Sequence, residues 1–136
     1  MDTKDSIDYL AKPSKIDTVV LLYSGGLDTS VMVKYIQEEY GADVVTLTLD
    51  LGQPGVDLEK TKQKALDIGA EDAYVIDAKQ EFAEDFIAKS IKANGLYQGE
   101  YPLSTAIARY VVCEKVVEIA DEVDGRSSAR SDRQGQ

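Results

Sequence analysis

Apolar positions along the chain alternate between short unbroken runs and longer periodic stretches. Residues 18–23, TVVLLY, are continuously apolar or β-branched, the mark of a strand buried on both faces. Asp28 to Tyr40 reads as a helix, with Val31, Met32, Tyr35 and Ile36 as a roughly helical apolar stripe and Gly41 as its stop. Residues 43–50, DVVTLTLD, predict a second strand, with Val45, Leu47 and Leu49 on one face and Val44, Thr46 and Thr48 on the other. GQPG at 52–55 is a loop, Val56 to Ile68 a helix closed by Gly69, and DAYVID at 72–77 a third strand. Residues 79–93 place Phe82, Phe86, Ile87 and Ile91 at helical spacing. GLYQGEYP at 95–102 reads as a loop, and Ser104 to Val123 as a long helix with Ile107, Val111, Val116, Ile119 and Val123 toward the core. Residues 1–17 form a polar leader with a helical turn near Ile7 to Leu10, ended by Pro13. Strand and helix in strict alternation predict an α/β fold, a Rossmann-like parallel sheet with helices on both faces.

Composition narrows the chemistry. The chain has 136 residues, enough for one core, and 43% of them are hydrophobic. A net charge of −10 argues against a nucleic-acid surface, which needs clustered Lys and Arg. With no histidine, Ser-His and Cys-His nucleophile pairs and histidine-ligated zinc are excluded. Cys113, the single cysteine, allows no internal disulfide. The leader lacks the apolar segment of a signal peptide, and no apolar run reaches the length of a membrane span. These features predict a soluble cytoplasmic protein whose chemistry works by positioning and electrostatics.

YSGGLDTS, residues 23–30, joins the first strand to the first helix. Two glycines let the backbone turn sharply and approach a ligand closely. The first N–H groups of the helix lack intrahelical partners and carry partial positive charge, which favours an anion. Ser24, Thr29 and Ser30 add hydroxyls. Open α/β sheets bind ligands at the carboxyl ends of their strands, where this loop falls. A phosphate cradle follows. The plainer alternative is a turn with Asp28 and Thr29 as ordinary helix caps. Asp28 has two readings, action through magnesium or substrate orientation, and an N-cap acid favoured by the helix dipole. The Walker and dinucleotide glycine patterns are both absent.

The loop resembles the SGGxDS and SGGxDTS loops of the ATP pyrophosphatase superfamily, whose members cleave ATP between the α- and β-phosphates. YSGGLDTS, DLGQ at 50–53, KALDIGA at 64–70, LYQGEYPLSTAIAR at 96–109 and KVVEIA at 115–120 lie in the order and spacing of argininosuccinate synthase. The resemblance runs over about residues 18–124. It implies an adenine nucleotide alpha hydrolase-like fold, here incomplete. It also implies an ATP-dependent ligation of citrulline to aspartate, giving argininosuccinate, AMP and pyrophosphate in arginine biosynthesis. ATP would be lined by Leu22, Tyr23, Ser24, Gly25, Gly26, Leu27, Asp28, Thr29 and Ser30, with Leu49 touching the nucleoside through its backbone. Tyr101 would face citrulline, with Thr105 and Ala106 beside it. Mg²⁺ is implied with the phosphates, and no residue of the chain is assigned as its ligand. The intact family is expected to form homo-tetramers. Family members often carry Ser at the position of Ala106 and Pro at that of Tyr110.

Other residues have simpler readings. Cys113 lies among apolar positions and is expected as a small buried hydrophobe. Glu81, Glu84 and Asp85 read as a solvated helix face, and Asp121, Glu122 and Asp124 as surface. Tyr97 and Tyr101 can cover the core. Arg109 is a candidate phosphate or carboxylate contact, or a surface ion pair. Asp50 is a candidate at the ligand crevice, or a turn acid.

Residues 125–136, GRSSARSDRQGQ, carry no apolar side chain except Ala129 and are expected to be disordered. The family would run on here into a fourth strand and a second loop, HG-x-TGKGND. Read one nucleotide later, degenerate codons for this segment can spell DAVAHGATGKGN: Ala129 allows His, Arg130 Gly, Asp132 Thr, Arg133 Gly and Gln134 Lys. The expectation is a frame-shifted tail on a truncated nucleotide-binding part. Three other readings stand beside it: an amide-forming or tRNA-modifying ligase of the same superfamily, a small non-catalytic nucleotide-binding module, and an inert remnant. Sequencing the coding DNA past the Gln136 codon tests the frameshift. The shifted frame is expected to continue into D-x-x-R-F-E and a synthetase domain, and a shifted frame without coding sense refutes it.

Overall fold

The computed structural model describes the backbone of residues 16–134 and the side chains of 16–124. The leader, with its turn near Ile7 to Leu10, lies almost wholly outside the described residues. Three parallel strands, β1 (Thr18–Leu22), β2 (Asp43–Asp50) and β3 (Asp72–Asp77), form a sheet in the order β1-β2-β3. Between them run α1 (Leu27–Tyr40) and α2 (Leu58–Ile68). After β3 come α3 (Lys79–Glu81), a π-helical stretch at Phe82–Ile87 and α4 (Ala88–Lys92). A two-stranded antiparallel hairpin, β4 (Leu96–Tyr97) with β5 (Tyr101–Pro102), leads into α5 (Ser104–Gln134). Among the described residues no helix is long and apolar enough to cross a membrane.

The two faces of β2 are the core. Val44 packs with Tyr23, Val33, Ile36, Ala65 and Ala73 under α1 and α2. Small residues at Ala42, Ala65, Ala70 and Ala73 let those helices lie close to the sheet. Val45 and Leu47 point the other way, against Ile119, Val116 and Val123 of α5. Leu49, on the same face, meets Phe82 and Val111 at the upper end. Each of these fully buried aliphatic side chains contributes about 1.5–3 kcal/mol relative to exposure. Thr46 and Thr48 are buried too, and both donate to backbone carbonyls, Thr46 Oγ1 to Asp72 O at 3.5 Å and Thr48 Oγ1 to Tyr23 O at 2.8 Å.

The helix ends follow local chemistry. Gly41 and Gly69 close α1 and α2 with φ of 62° and 118°, the left-handed region that favours glycine. Asp57 caps α2, its carboxylate accepting from Lys60 N at 3.0 Å, so the helix begins at Leu58 rather than Val56.

Several expectations are corrected. β1 is paired on one side only, by β2, and is half-buried, with Leu22 43% exposed. It is an edge strand of the described sheet, and both its faces are packed, Val19 and Leu21 against the cluster under α1 and α2 and Val20 against the one facing α5, though each is only partly buried. On α1 the inward residues are Val33 and Ile36, while Val31, Met32 and Tyr35 are exposed. Apolar residues occur on every side of that helix, so spacing alone did not select its buried face. Cys113 is exposed. At 3.6 residues per turn it falls nearly opposite the Ile107, Val111 and Ile119 face, roughly 170° around α5 from its centre. Glu81 does not belong to a solvated face: it pairs with Lys115 of α5 at 3.0 Å, and Glu118 holds the same ammonium at 3.1 Å. Glu81, then Glu118, raises the Lys115 pKa above its ordinary value. The 95–102 segment forms the β4–β5 hairpin instead of an irregular loop, with Gln98 and Gly99 in left-handed conformation at its turn. Finally, α5 continues to Gln134 where the sequence predicts an end at Val123 and disorder beyond. No proline interrupts it, and a single Gly125 costs a helix only about 1 kcal/mol.

Thr48→Val tests the role of its hydroxyl. The shape is retained and the Tyr23 carbonyl loses its side-chain donor, so the urea unfolding free energy should fall by about 1–3 kcal/mol. An unchanged midpoint would show that water replaces the hydroxyl at no cost.

Candidate functional site

The site begins where β1 stops. Tyr23 has left the strand, yet its backbone is held on both sides: Tyr23 N donates to Leu47 O at 2.9 Å, and Tyr23 O accepts from Thr48. Its ring is buried among Val33, Val44 and Ala73. Its hydroxyl lies 2.9 Å from Ser30 Oγ, which itself donates to Gly26 O at 2.6 Å. Ser30 has one hydroxyl proton and spends it on Gly26, so Tyr23 donates to Ser30. A buried aromatic thereby fixes the carbonyl that opens α1.

Gly25 takes φ +78°, a conformation that favours glycine, and a Cβ there would also make a tight 3.2 Å contact with Thr61 Cγ2. Gly26 is the N-cap of α1 and supplies no side-chain cap. Thr29 Oγ1 and Ser30 Oγ turn back to the Gly26 carbonyl, at 3.4 and 2.6 Å. Asp28 is exposed in the first turn. The reading of Asp28 and Thr29 as caps is therefore corrected: the capping position falls on Gly26, and the hydroxyls serve a carbonyl rather than the helix N–H groups. The N–H groups of the first turn have no side-chain cap, which is the arrangement that receives an anion. Ser24 completes the loop, its Oγ accepting from Gly26 N at 3.3 Å and lying 3.3 Å from Thr29 Oγ1.

Beside the loop, at the carboxyl ends of β1 and β2, lies an open cleft of about 450 Å³. Leu22, Leu47, Leu49, Leu51, Val56 and Val112 give it apolar walls, and Tyr23, Ser24, Thr48 and Gln53 its polar ones. Gln53 was missed in the sequence, although it closes the quoted DLGQ stretch. Its amide donates to Leu49 O at 3.0 Å and accepts from Leu51 N at 2.8 Å, folding the 51–56 loop back as a wall. Leu49 stands in the cleft with its carbonyl already accepting from Gln53. Leu27 is 77% exposed at the first turn of α1.

Of the predicted residues, Leu22, Tyr23, Ser24 and Leu49 line the cleft, and Gly25 to Ser30 form the adjoining turn. Tyr101, Thr105 and Ala106 gather at the junction of β5 and α5, all exposed, and none lines the cleft. Arg109 is exposed further along α5.

Asp50 and Asp77, at the ends of β2 and β3, share Lys79: its ammonium lies 2.7 Å from Asp50 Oδ2 and 3.1 Å from Asp77 Oδ2. Lys79, followed by the Gly52 N–H, holds the Asp50 carboxyl below its ordinary 3.8. The backbone N–H and then the side chain of Lys79 do the same for Asp77. Lys79 is raised above 10.5 by both acids, Asp50 first. These carboxylates already have their cation. Among the described residues no three His, Cys, Asp or Glu side chains converge to hold a metal ion.

An uncapped helix start behind a glycine turn, opening on an apolar cleft at the strand ends, is the arrangement by which open α/β domains commonly receive nucleotides. Comparison with known proteins gives the family. Residues 18–131 match the family described as Arginosuccinate synthase N-terminal HUP domain. Argininosuccinate synthase of Picrophilus torridus is 58% identical over 109 residues, which is 80% of this chain and 27% of that protein. That of Pyrococcus furiosus is 57% identical over 102 residues, 75% of this chain and 25% of the relative. That of Dehalococcoides mccartyi is 54% identical over 106 residues, 78% and 26%. The chain belongs to the argininosuccinate synthase family, and spans about a quarter of the length of these curated relatives. Among solved structures, an NAD+ synthetase from Burkholderia pseudomallei aligns with TM-score 0.47 and 22% identity, over 77% of this chain and 50% of that one.

The Lys79 cluster carries a pH prediction. Lowered carboxyl pKa values stabilise the fold above about pH 3.8, and that stability is lost as pH falls through the folded-state values. The raised lysine contributes below about pH 10.5 and loses its contribution as pH rises through its folded value. Lys79→Met should be less stable than the parent at neutral pH, with the gap closing as the two carboxylates protonate. Urea midpoints measured down the acid limb check this, and a gap independent of pH would refute the cluster's role.

Proposed function

We propose that this chain binds ATP as the nucleotide half-site of an ATP-dependent carbon–nitrogen ligase. The triphosphate rests on Ser24 to Ser30, and the nucleoside lies in the cleft beside Leu22 and Leu49. The observation that carries the reading is the uncapped first turn of α1 facing out behind Gly25 and Gly26. The family membership supports the reaction: the ureido oxygen of citrulline attacks the α-phosphate, pyrophosphate leaves, and the amine of aspartate displaces AMP. Helix and backbone donors stabilise the phosphate charge, and the site's main work is alignment of the reactants. Magnesium would enter with the nucleotide, neutralising phosphate charge. Tyr101, with Thr105 and Ala106, is the proposed citrulline contact, and the intact enzyme is expected to act as a homo-oligomer in the cytoplasm.

These residues hold one phosphate loop, and the whole reaction needs groups for aspartate as well. A second reading is a non-catalytic ATP-binding module, favoured by the position of Tyr101, Thr105 and Ala106 outside the cleft. Both readings expect saturable one-to-one ATP binding by titration calorimetry, weakened about tenfold or more by Gly25→Ala, since a left-handed non-glycine residue costs roughly 1–2 kcal/mol. Undiminished binding by that variant would remove the loop from the site. With citrulline, aspartate and MgATP, the 136-residue chain alone is expected to release no AMP. Measurable AMP and argininosuccinate would establish it as a complete catalyst.

A further inference from the structure

The glycine turn itself receives a side-chain contact from α2 that the family resemblance does not assign. Lys64, on α2, donates from Nζ to the Gly25 carbonyl at 2.6 Å, across 39 residues of sequence. This is a charge-assisted bond on the one peptide of the loop flanked by glycine on both sides. Such a peptide turns over with little steric resistance, because neither neighbour has a Cβ. Its two orientations have opposite consequences. With the carbonyl toward α2, the Gly26 N–H points back at Ser24, whose side chain stands in the cleft wall. Turned over, it would aim a carbonyl dipole at any anion in the loop. The neighbouring turn of α2 adds shape to charge, since Thr61 Cγ2 stands 3.2 Å from where a Gly25 Cβ would sit.

We infer that Lys64 is a positioning residue for the anion site: its ammonium latches the Gly25–Gly26 peptide in the orientation that accepts a polyphosphate. The inference rests on the nucleotide reading for its ligand, while the latch itself is a property of the free protein. It makes α2, which borders the loop without belonging to it, a determinant of phosphate affinity. Its action is specific to the phosphates, because Lys64 is not among the cleft-lining residues.

The test compares the parent 136-residue chain with Lys64→Met and Lys64→Arg. Amide resonances and hydrogen exchange of Gly25 to Leu27 are recorded without ligand, and ATP and adenosine are titrated by calorimetry. Lys64→Met should shift and loosen the Gly26 amide, lower ATP affinity about tenfold and leave adenosine affinity within about twofold. Lys64→Arg should restore most of the ATP affinity. Unchanged ATP affinity in Lys64→Met would overturn the inference. So would weaker ATP binding with unmoved free-state amides, which marks a direct phosphate contact. Parallel loss of ATP and adenosine with a lowered melting temperature marks only a packing role and also overturns it. If the parent binds neither ligand, the nucleotide reading fails by itself. The amide signals then still decide the latch, since an unmoved Gly26 amide rejects it.

Discussion

Residues 44–49 of β2 are buried without interruption, so the strand must satisfy a different neighbour on each face. Val44 and the two threonines face α1 and α2; Val45, Leu47 and Leu49 face α5 and the π-helical stretch. A register slip of one residue would exchange the two sets and place both hydroxyls against α5, away from the Tyr23 and Asp72 carbonyls they serve. The loop depends on this register directly. Tyr23 is held by Leu47 O and by the Thr48 hydroxyl, so the residue that launches the glycine turn is positioned by β2 rather than by β1. The glycines are free to turn because the residue before them is not free to move.

Binding chemistry and folding chemistry meet in the same few atoms. A helix normally spends a side chain on its first N–H groups, and that cap contributes typically ~1 kcal/mol. Here α2 follows the rule with Asp57, while α1 begins at a glycine and leaves those groups uncapped. The hydroxyls that stand close enough to help, Thr29 and Ser30, are turned onto the Gly26 carbonyl. The start of α1 thus forgoes the stabilisation that a capping side chain gives α2.

Much of this was legible in the sequence, for identifiable reasons. β2 and β3 fall at the predicted residues because alternation and β-branching act locally, and Gly41 and Gly69 end their helices for the same reason. The glycine turn could be read because its backbone geometry needs no distant partner: Gly25 takes φ +78° and Gly26 immediately precedes the first turn of α1. What was not legible depends on tertiary neighbours. The inward face of α1 is chosen by the sheet, which takes Val33 and Ile36 and leaves the equally apolar Val31 outside. Glu81 looked like surface until α5 brought Lys115 to it, and the Asp50–Lys79–Asp77 tie needs the ends of two strands side by side. The π-helical widening at 82–87, which seats Phe82 against Leu49 and Val111, leaves no mark in apolar spacing.

The one-sided pairing of β1 sets the electrostatic environment of the loop that follows it. In the described sheet the loop stands at a rim, with β2 on one flank and no described strand on the other. Charges at a rim interact through a high effective dielectric, so helix and lysine act weakly on an anion there. A strand laid against the free edge of β1 would convert the rim into the wall of a crevice. The same N–H groups would then work in a drier medium, with no change in their positions. The strength of the proposed anion site would thus be set by the polarity of its surroundings as much as by its own geometry, and the edge of a single strand is where those surroundings can change.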